Sequence, residues 1–190
     1  MGVLALQGDF LEHKVALHKI GVEAVEVRLP QQLDDLNGVI IPGGESTTIA
    51  RLMDIFHFRE PLKQKIASGL AVWGTCAGMI LLAERLREPD PIPLGVMDIV
   101  VSRNAYGRQI DSFEADLHIP ALGEEPFHAV FIRAPKVVSV GRKAQVLAST
   151  FAGDAIAIAQ DKLLATSFHP EITEDIRFHS MFFEMATSKV

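Results

Sequence analysis

Cys76 is the sole cysteine of the chain, and it stands in the run Leu-Ala-Val-Trp-Gly-Thr-Cys-Ala-Gly-Met-Ile-Leu-Leu-Ala. An apolar stretch enters Gly74, the cysteine follows two residues later, and beyond Gly78 the apolar pattern becomes helical. This is the layout of a nucleophile elbow, a sharp strand-to-helix turn whose small neighbours tolerate unusual backbone angles. Such a turn carries the sulfur to the carboxyl end of a parallel sheet, where open α/β folds bind ligands. A buried cysteine acting as a small hydrophobe fits the same surroundings, so the reading as nucleophile needs a base.

The chain has seven histidines, at 13, 18, 57, 118, 128, 169 and 179. His169 follows the apolar run 163–168 and precedes Pro170 and Glu171, which puts it at a strand end that can share a sheet edge with Cys76. Proline lacks an N–H, so the strand cannot simply continue. In extended chain, residues two apart point the same way. Glu171 is thereby expected to accept from the His169 ring and hold it in the useful tautomer. A surface His-Pro-Glu turn is the competing reading. The other six histidines read as solvent or core residues. None forms an H-x-H or H-E-x-x-H set, and no metal site is expected.

A third segment, Ile40-Ile41-Pro42-Gly43-Gly44-Glu45-Ser46-Thr47-Thr48, lies between an apolar run and a helical pattern. Its paired glycines let backbone N–H groups face a ligand, as an oxyanion hole requires. Ser46 is expected to cap the helix. A phosphate cradle is the weaker alternative, because no lysine follows the glycines as it does in a P-loop. An ordinary loop remains open as well.

The elements that must position these groups alternate. Strands are expected at 3–6, 24–27, 38–41 and 70–73, with helices at 10–20, 46–54, 60–68 and 77–85. Strands that are nearly all apolar, separated by helices, imply a parallel sheet covered on both faces. The second half is richer in strands, at 96–101, 129–132, 137–140, 145–148, 155–159 and 163–167, before a last helix at 176–187. Part of that half is expected to be antiparallel. The loop 86–93, with three prolines and three charges, reads as a surface connection and not a domain boundary.

Length and composition bound the rest. At about 150 residues per domain, 190 residues imply one domain, 1–190. Apolar residues are 48% and charged residues 22%, which excludes disordered, collagenous and coiled-coil chains. No apolar run approaches the ~18–20 residues of a membrane span. The N-terminal apolar segment is too short and too poor in basic residues for a signal peptide. A net charge of −6 lacks the basic footprint of a nucleic-acid binder. One cysteine excludes an internal disulfide framework and fits a reducing, cytoplasmic compartment.

Taken together, Pro42-Gly43-Gly44-Glu45-Ser46, Gly74-Thr75-Cys76-Ala77-Gly78 and His169-Pro170-Glu171 resemble the triad-type (class I) glutamine amidotransferases in order and spacing. Finer details resemble one branch, the glutaminase subunits of pyridoxal 5′-phosphate synthase. They are Leu4-Ala5-Leu6-Gln7-Gly8-Asp9-Phe10 with Glu12 and His13, Gly44 to Thr48, Ser102-Arg103-Asn104-Ala105-Tyr106-Gly107-Arg108-Gln109, and Phe131-Ile132-Arg133-Ala134-Pro135. The resemblance covers the whole chain.

The resemblance implies a flavodoxin-like three-layer α/β/α fold with a mixed, mostly parallel sheet. It implies hydrolysis of L-glutamine to glutamate and ammonia, with Cys76 as nucleophile, His169 as base and Glu171 as its orienter. Gly44 and Ala77 match the oxyanion-hole positions. Gly44, Glu45, Ser46, Arg103, Ile132 and Arg133 match the glutamine-binding positions. No cofactor is implied for this chain. The ammonia passes to a synthase subunit, a (β/α)8 barrel, which builds pyridoxal 5′-phosphate. The free subunit is expected to be a poor glutaminase until that partner binds. Asp9, Phe10, Glu12 and His13 are candidates for the contact. Two other readings remain: a glutaminase feeding a different synthase, such as that of histidine biosynthesis, and a non-catalytic binding module on the same fold.

Overall fold

The computed structural model describes residues 1–103 and 112–188. The stretch 104–109 of the motif beginning at Ser102 lies outside them. In chain order the elements are β1 (Gly2–Leu4), α1 (Phe10–Lys19), β2 (Val25–Val27), β3 (Gly38–Ile41), α2 (Ser46–Ile55), α3 (Arg59–Ala67), β4 (Ala71–Thr75) and α4 (Ala77–Leu82). There follow β5 (Ala83–Leu86), β6 (Met97–Ser102), β7 (Ser112–Leu117), β8 (Phe127–Ile132), β9 (Lys136–Val140), β10 (Gln145–Ser149), β11 (Ala155–Gln160), β12 (Leu163–Thr166) and α5 (Arg177–Thr187).

Seven strands form the central sheet in the order β10-β11-β12-β4-β3-β1-β2. The five strands from β12 to β2 are mutually parallel, and β11 runs against its neighbours. Successive side chains alternate between faces, which shows in the core. Val39, Ile41 and Val72 join the apolar cluster under α2, α3 and α4. Ile40, Ala71 and Trp73 join the cluster under α1, α5 and the β7–β8 hairpin. The result is three layers, α/β/α, with both faces of the sheet buried, as the apolar strands require.

The predicted helix at 77–85 is corrected: it stops at Leu82 and the chain continues as β5, parallel to β6. The Leu94, Gly95 and Val96 N–H groups donate to Leu81, Ala83 and Leu82 carbonyls, so a returning segment takes the acceptors that a longer helix would use. β7, which the pattern did not suggest, pairs antiparallel with β8.

Candidate active site

Three neighbouring parallel strands, β3, β4 and β12, end at one edge, and each leads directly into one of the chemical segments. The register sets Ile41 opposite Gly74 and Thr75 opposite Thr166. Cys76 therefore leaves β4 beside the end of β12, and its N–H donates to the Thr166 carbonyl at 2.8 Å. Its backbone is left-handed, with φ 47° and ψ −100°. Non-glycine residues seldom adopt such angles unless surrounding structure enforces them. Gly78 makes the turn possible: a Cβ there would lie 2.1 Å from the Ile41 carbonyl oxygen, so only glycine lets α4 begin this close to β3.

His169 Nδ1 lies 2.7 Å from Glu171 Oε1. The pairing is as expected, but the path differs: Pro170–Ile172 forms a 3-10 turn, not extended chain. Both side chains are nearly sealed from solvent. Burial works against a charged imidazole, but hydrogen bonds and charge from Cys76 and Glu171 prevail and push His169 up to about 10. Burial pushes the Glu171 carboxyl upward, and His169 pulls it back. The His169 ring rests on Gly43, where a Cβ would sit 2.4 Å from ring Cε1.

The glycine loop is held from beneath. The Asp9 N–H donates to the Gly43 carbonyl at 3.1 Å, and the Glu45 N–H donates to Gln7 Oε1 at 2.9 Å. In a trans peptide the Gly44 N–H lies opposite the Gly43 oxygen. The cap of α2 is Glu45, not Ser46, which is the helix's first residue. The Glu45 carboxylate accepts from the backbone and hydroxyl groups of Thr47 and Thr48. Burial opposes its charge, but these four donors outweigh it and hold the carboxyl at about 2. Arg103 pairs with this carboxylate at 3.4 Å and donates to the Asp90 carbonyl at 2.6 Å.

A cavity of about 500 Å³ opens over this edge. Every sequence-predicted site residue lines it except Glu171, which is buried behind His169: Gly44, Glu45, Ser46, Cys76, Ala77, Arg103, Ile132, Arg133 and His169. Cys76 Sγ is 3.7 Å from the Ile132 carbonyl oxygen. Arg133 is left-handed, with φ 45°.

Sequence reasoning missed three supports: Asp9, which lines the cavity with Oδ2 3.5 Å from His169 Nδ1, and the buried His13 and His179. His13 is fully buried, so it cannot belong to a partner-contact surface as expected. Its place on the inner side of α1 was hinted only by helical periodicity with Ala16 and Leu17, both also buried.

The fold is that of the class I glutamine amidotransferases. A crystal structure of a glutamine amidotransferase superposes with TM-score 0.93 at 46% identity, covering 98% of each chain. The PurLQS structure from Thermotoga maritima shares the fold at TM-score 0.72 and 16% identity, covering 96% of each chain.

The chain belongs to the SNO glutamine amidotransferase family, whose family model matches residues 3–188. It is similar to pyridoxal 5′-phosphate synthase subunit PdxT of Herpetosiphon aurantiacus, at 55% identity over 185 residues, covering 96% of this chain and 97% of the relative. It is 54% identical to PdxT of Moorella thermoacetica, covering 97% and 98%. No helix among the described residues is long and apolar enough to cross a membrane.

Proposed function

We propose that residues 1–190 form one cytoplasmic glutamine amidotransferase domain that hydrolyses L-glutamine and delivers the ammonia to a pyridoxal 5′-phosphate synthase subunit for vitamin B6 synthesis. The observation that carries this reading is the His169–Glu171 contact at 2.7 Å beneath an open cavity that Cys76 and His169 both line. Relatives at 54–55% identity named as synthase subunits favour the vitamin B6 branch over a synthase of histidine biosynthesis.

In this reading the Cys76 sulfur attacks the side-chain amide carbon of glutamine. The Gly44 and Ala77 N–H groups stabilise the resulting oxyanion. His169 takes the Cys76 thiol proton as the sulfur attacks and gives it to the departing nitrogen, and ammonia leaves. The neutral ring then takes a proton from water, which attacks the γ-glutamyl thioester and releases glutamate. Glu171 fixes the His169 tautomer and supports the imidazolium. The cavity-lining Arg133 suits the substrate α-carboxylate, a planar acceptor for a guanidinium. Glu45 neutralises Arg103, and both stand ready for the zwitterionic end of the substrate together with Ser46 and Ile132. No cofactor enters these steps.

Ammonia is protonated in neutral water, and ammonium is not a nucleophile, so release beside a (β/α)8 barrel partner conserves its reactivity. The test uses amide-15N glutamine and the chain combined with its synthase subunit. Labelled ammonia and stoichiometric glutamate are expected, with label incorporated into pyridoxal 5′-phosphate. Absence of both products in the assembled complex refutes the reading.

A further inference from the structure

Behind the proposed triad lies a second, fully buried pair that the reaction scheme does not use. His13 Nε2 is 3.1 Å from Thr75 Oγ1 and 3.4 Å from Glu171 Oε2. His13 Nδ1 is 3.0 Å from His179 Nε2. Among the described residues, Glu171 Oε2 and His179 Nδ1 are buried without a hydrogen bond.

The proton positions follow from these contacts. His13 Nε2 faces a hydroxyl oxygen and a carboxylate oxygen, and a bare ring nitrogen there would set lone pair against carboxylate. Nε2 is therefore assigned the hydrogen, with the Thr75 hydroxyl oxygen accepting it. A neutral ring has one N–H, so Nδ1 is bare and must accept, which places the hydrogen of His179 on Nε2. The nitrogen left bare is then His179 Nδ1, the very atom without a partner. An unpartnered bare nitrogen is a smaller loss than an unpartnered N–H. Burial, with the neighbouring His179 and His169, pushes His13 well below its ordinary range, and burial brings His179 down to about 4, so both rings are neutral.

We infer that His13 is a positioning residue for the proposed reaction: its Nε2–H, hydrogen-bonded to Thr75 Oγ1, turns its positive end toward the second oxygen of Glu171 3.4 Å away, while His179 fixes its tautomer. Glu171 sits where water cannot solvate it, so its anion depends on donors the fold supplies. A neutral donor supports that carboxylate without competing, as a cation would, with the imidazolium of His169. It also keeps Oε1 directed at His169 Nδ1.

This inference rests on the proposed roles of Cys76, His169 and Glu171. The experiment compares full-length His13→Phe, His13→Gln and Cys76→Ala, each assayed with the synthase subunit. His13→Phe keeps a flat ring and removes the donor. It is expected to lower kcat about tenfold, the lower end of what outer hydrogen-bond partners carry in metal–histidine–carboxylate sites. KM for glutamine should stay put, because His13 is sealed from the cavity. The low-field proton resonance of His169 Nδ1–H should shift. His13→Gln, which restores an N–H donor, should recover most of the rate. A parental kcat in His13→Phe overturns the inference, as does equal impairment of both His13 variants with that resonance unmoved. If His13→Phe does not fold, His179→Phe serves: an unchanged resonance and parental kcat there overturn it equally. Turnover by Cys76→Ala would instead remove the underlying reading of the site.

Discussion

The Cys76 N–H donates to the Thr166 carbonyl at 2.8 Å, tying the strand-to-helix turn of β4 to the end of β12. Three residues after Thr166 comes His169. One backbone hydrogen bond in a parallel ladder thus sets the spacing between the proposed nucleophile and its base. The strained angles of Cys76 follow from the same geometry, because the chain must leave β4 and turn into α4 within one residue.

Cys76→Ala should abolish glutamine hydrolysis in the assembled enzyme while leaving the fold intact, since the side chain removed is small and lies at a cavity wall. A glutamine-derived chloroketone should add once, at Cys76, by peptide mass mapping. Labelling elsewhere, or turnover by the alanine variant, contradicts its role.

His169→Asn should cost more than Glu171→Gln. The ring moves the proton in both half-reactions, whereas the carboxyl acts through the ring at 2.7 Å. Loss of the correct tautomer alone reaches about 10⁴-fold in a related triad, so Glu171→Gln should be severely impaired yet measurable. Steady-state kcat for both variants decides the order, and a fully active His169→Asn would discard the assignment.

Gly78→Ala should destabilise the chain by about 1–3 kcal/mol, the usual cost of forcing a methyl into a packed site. Its Cβ would meet the Ile41 carbonyl oxygen at 2.1 Å, and backbone cannot swing away as a side chain can. Urea unfolding measures the loss. Activity should fall as well, because relief of the clash moves the turn that carries Cys76. Parental stability in this variant would show that α4 does not start where described.

Acid should destabilise the protein through two buried imidazoles, His13 and His179. His179 is held at about 4 by burial, against about 6.5 in an unfolded chain. The unfolded state therefore binds the extra proton between those values, so stability is complete above pH 6.5 and is lost as pH falls toward 4. From pH 7 to pH 5 His179 accounts for about 2 kcal/mol. His13 is shifted the same way. Denaturant titrations at the two pH values should show a smaller difference in His179→Phe than in the parent, and an equal difference refutes the assignment.

The free subunit should hydrolyse glutamine slowly and accelerate when its synthase partner is added. The Gly43 carbonyl accepts from the Asp9 N–H, and the paired glycines let this peptide, which carries the Gly44 N–H, turn at little steric cost. Losing one oxyanion donor costs about 10²–10³ in rate, and a partner that selects the competent orientation needs only a few kcal/mol of differential contact. Titration of the synthase at fixed subunit concentration measures this. Full activity without partner would refute it.

Much of the site was legible because its parts are local. The strand–Gly–Thr–Cys–Ala–Gly–helix run, the Pro-Gly-Gly loop and His-Pro-Glu each state their backbone requirement within a few residues. Apolar strands alternating with helices already imply that such loops gather at one sheet edge. What the sequence by itself determined was the fold class, the cysteine turn and the pairing of His169 with Glu171. Tertiary structure decided the rest. Helix α4 ended at Leu82 because residues 94–96 claimed its carbonyls, a contact invisible to local pattern. Glu45 took the cap from Ser46 because Thr47 and Thr48 offered it four donors. The His13–His179 pair, 166 residues apart, arises only where α1 and α5 pack on the same face of the sheet. A histidine's chemistry is set by what faces its two nitrogens, and for residues so far apart in sequence the packing alone brings those partners together.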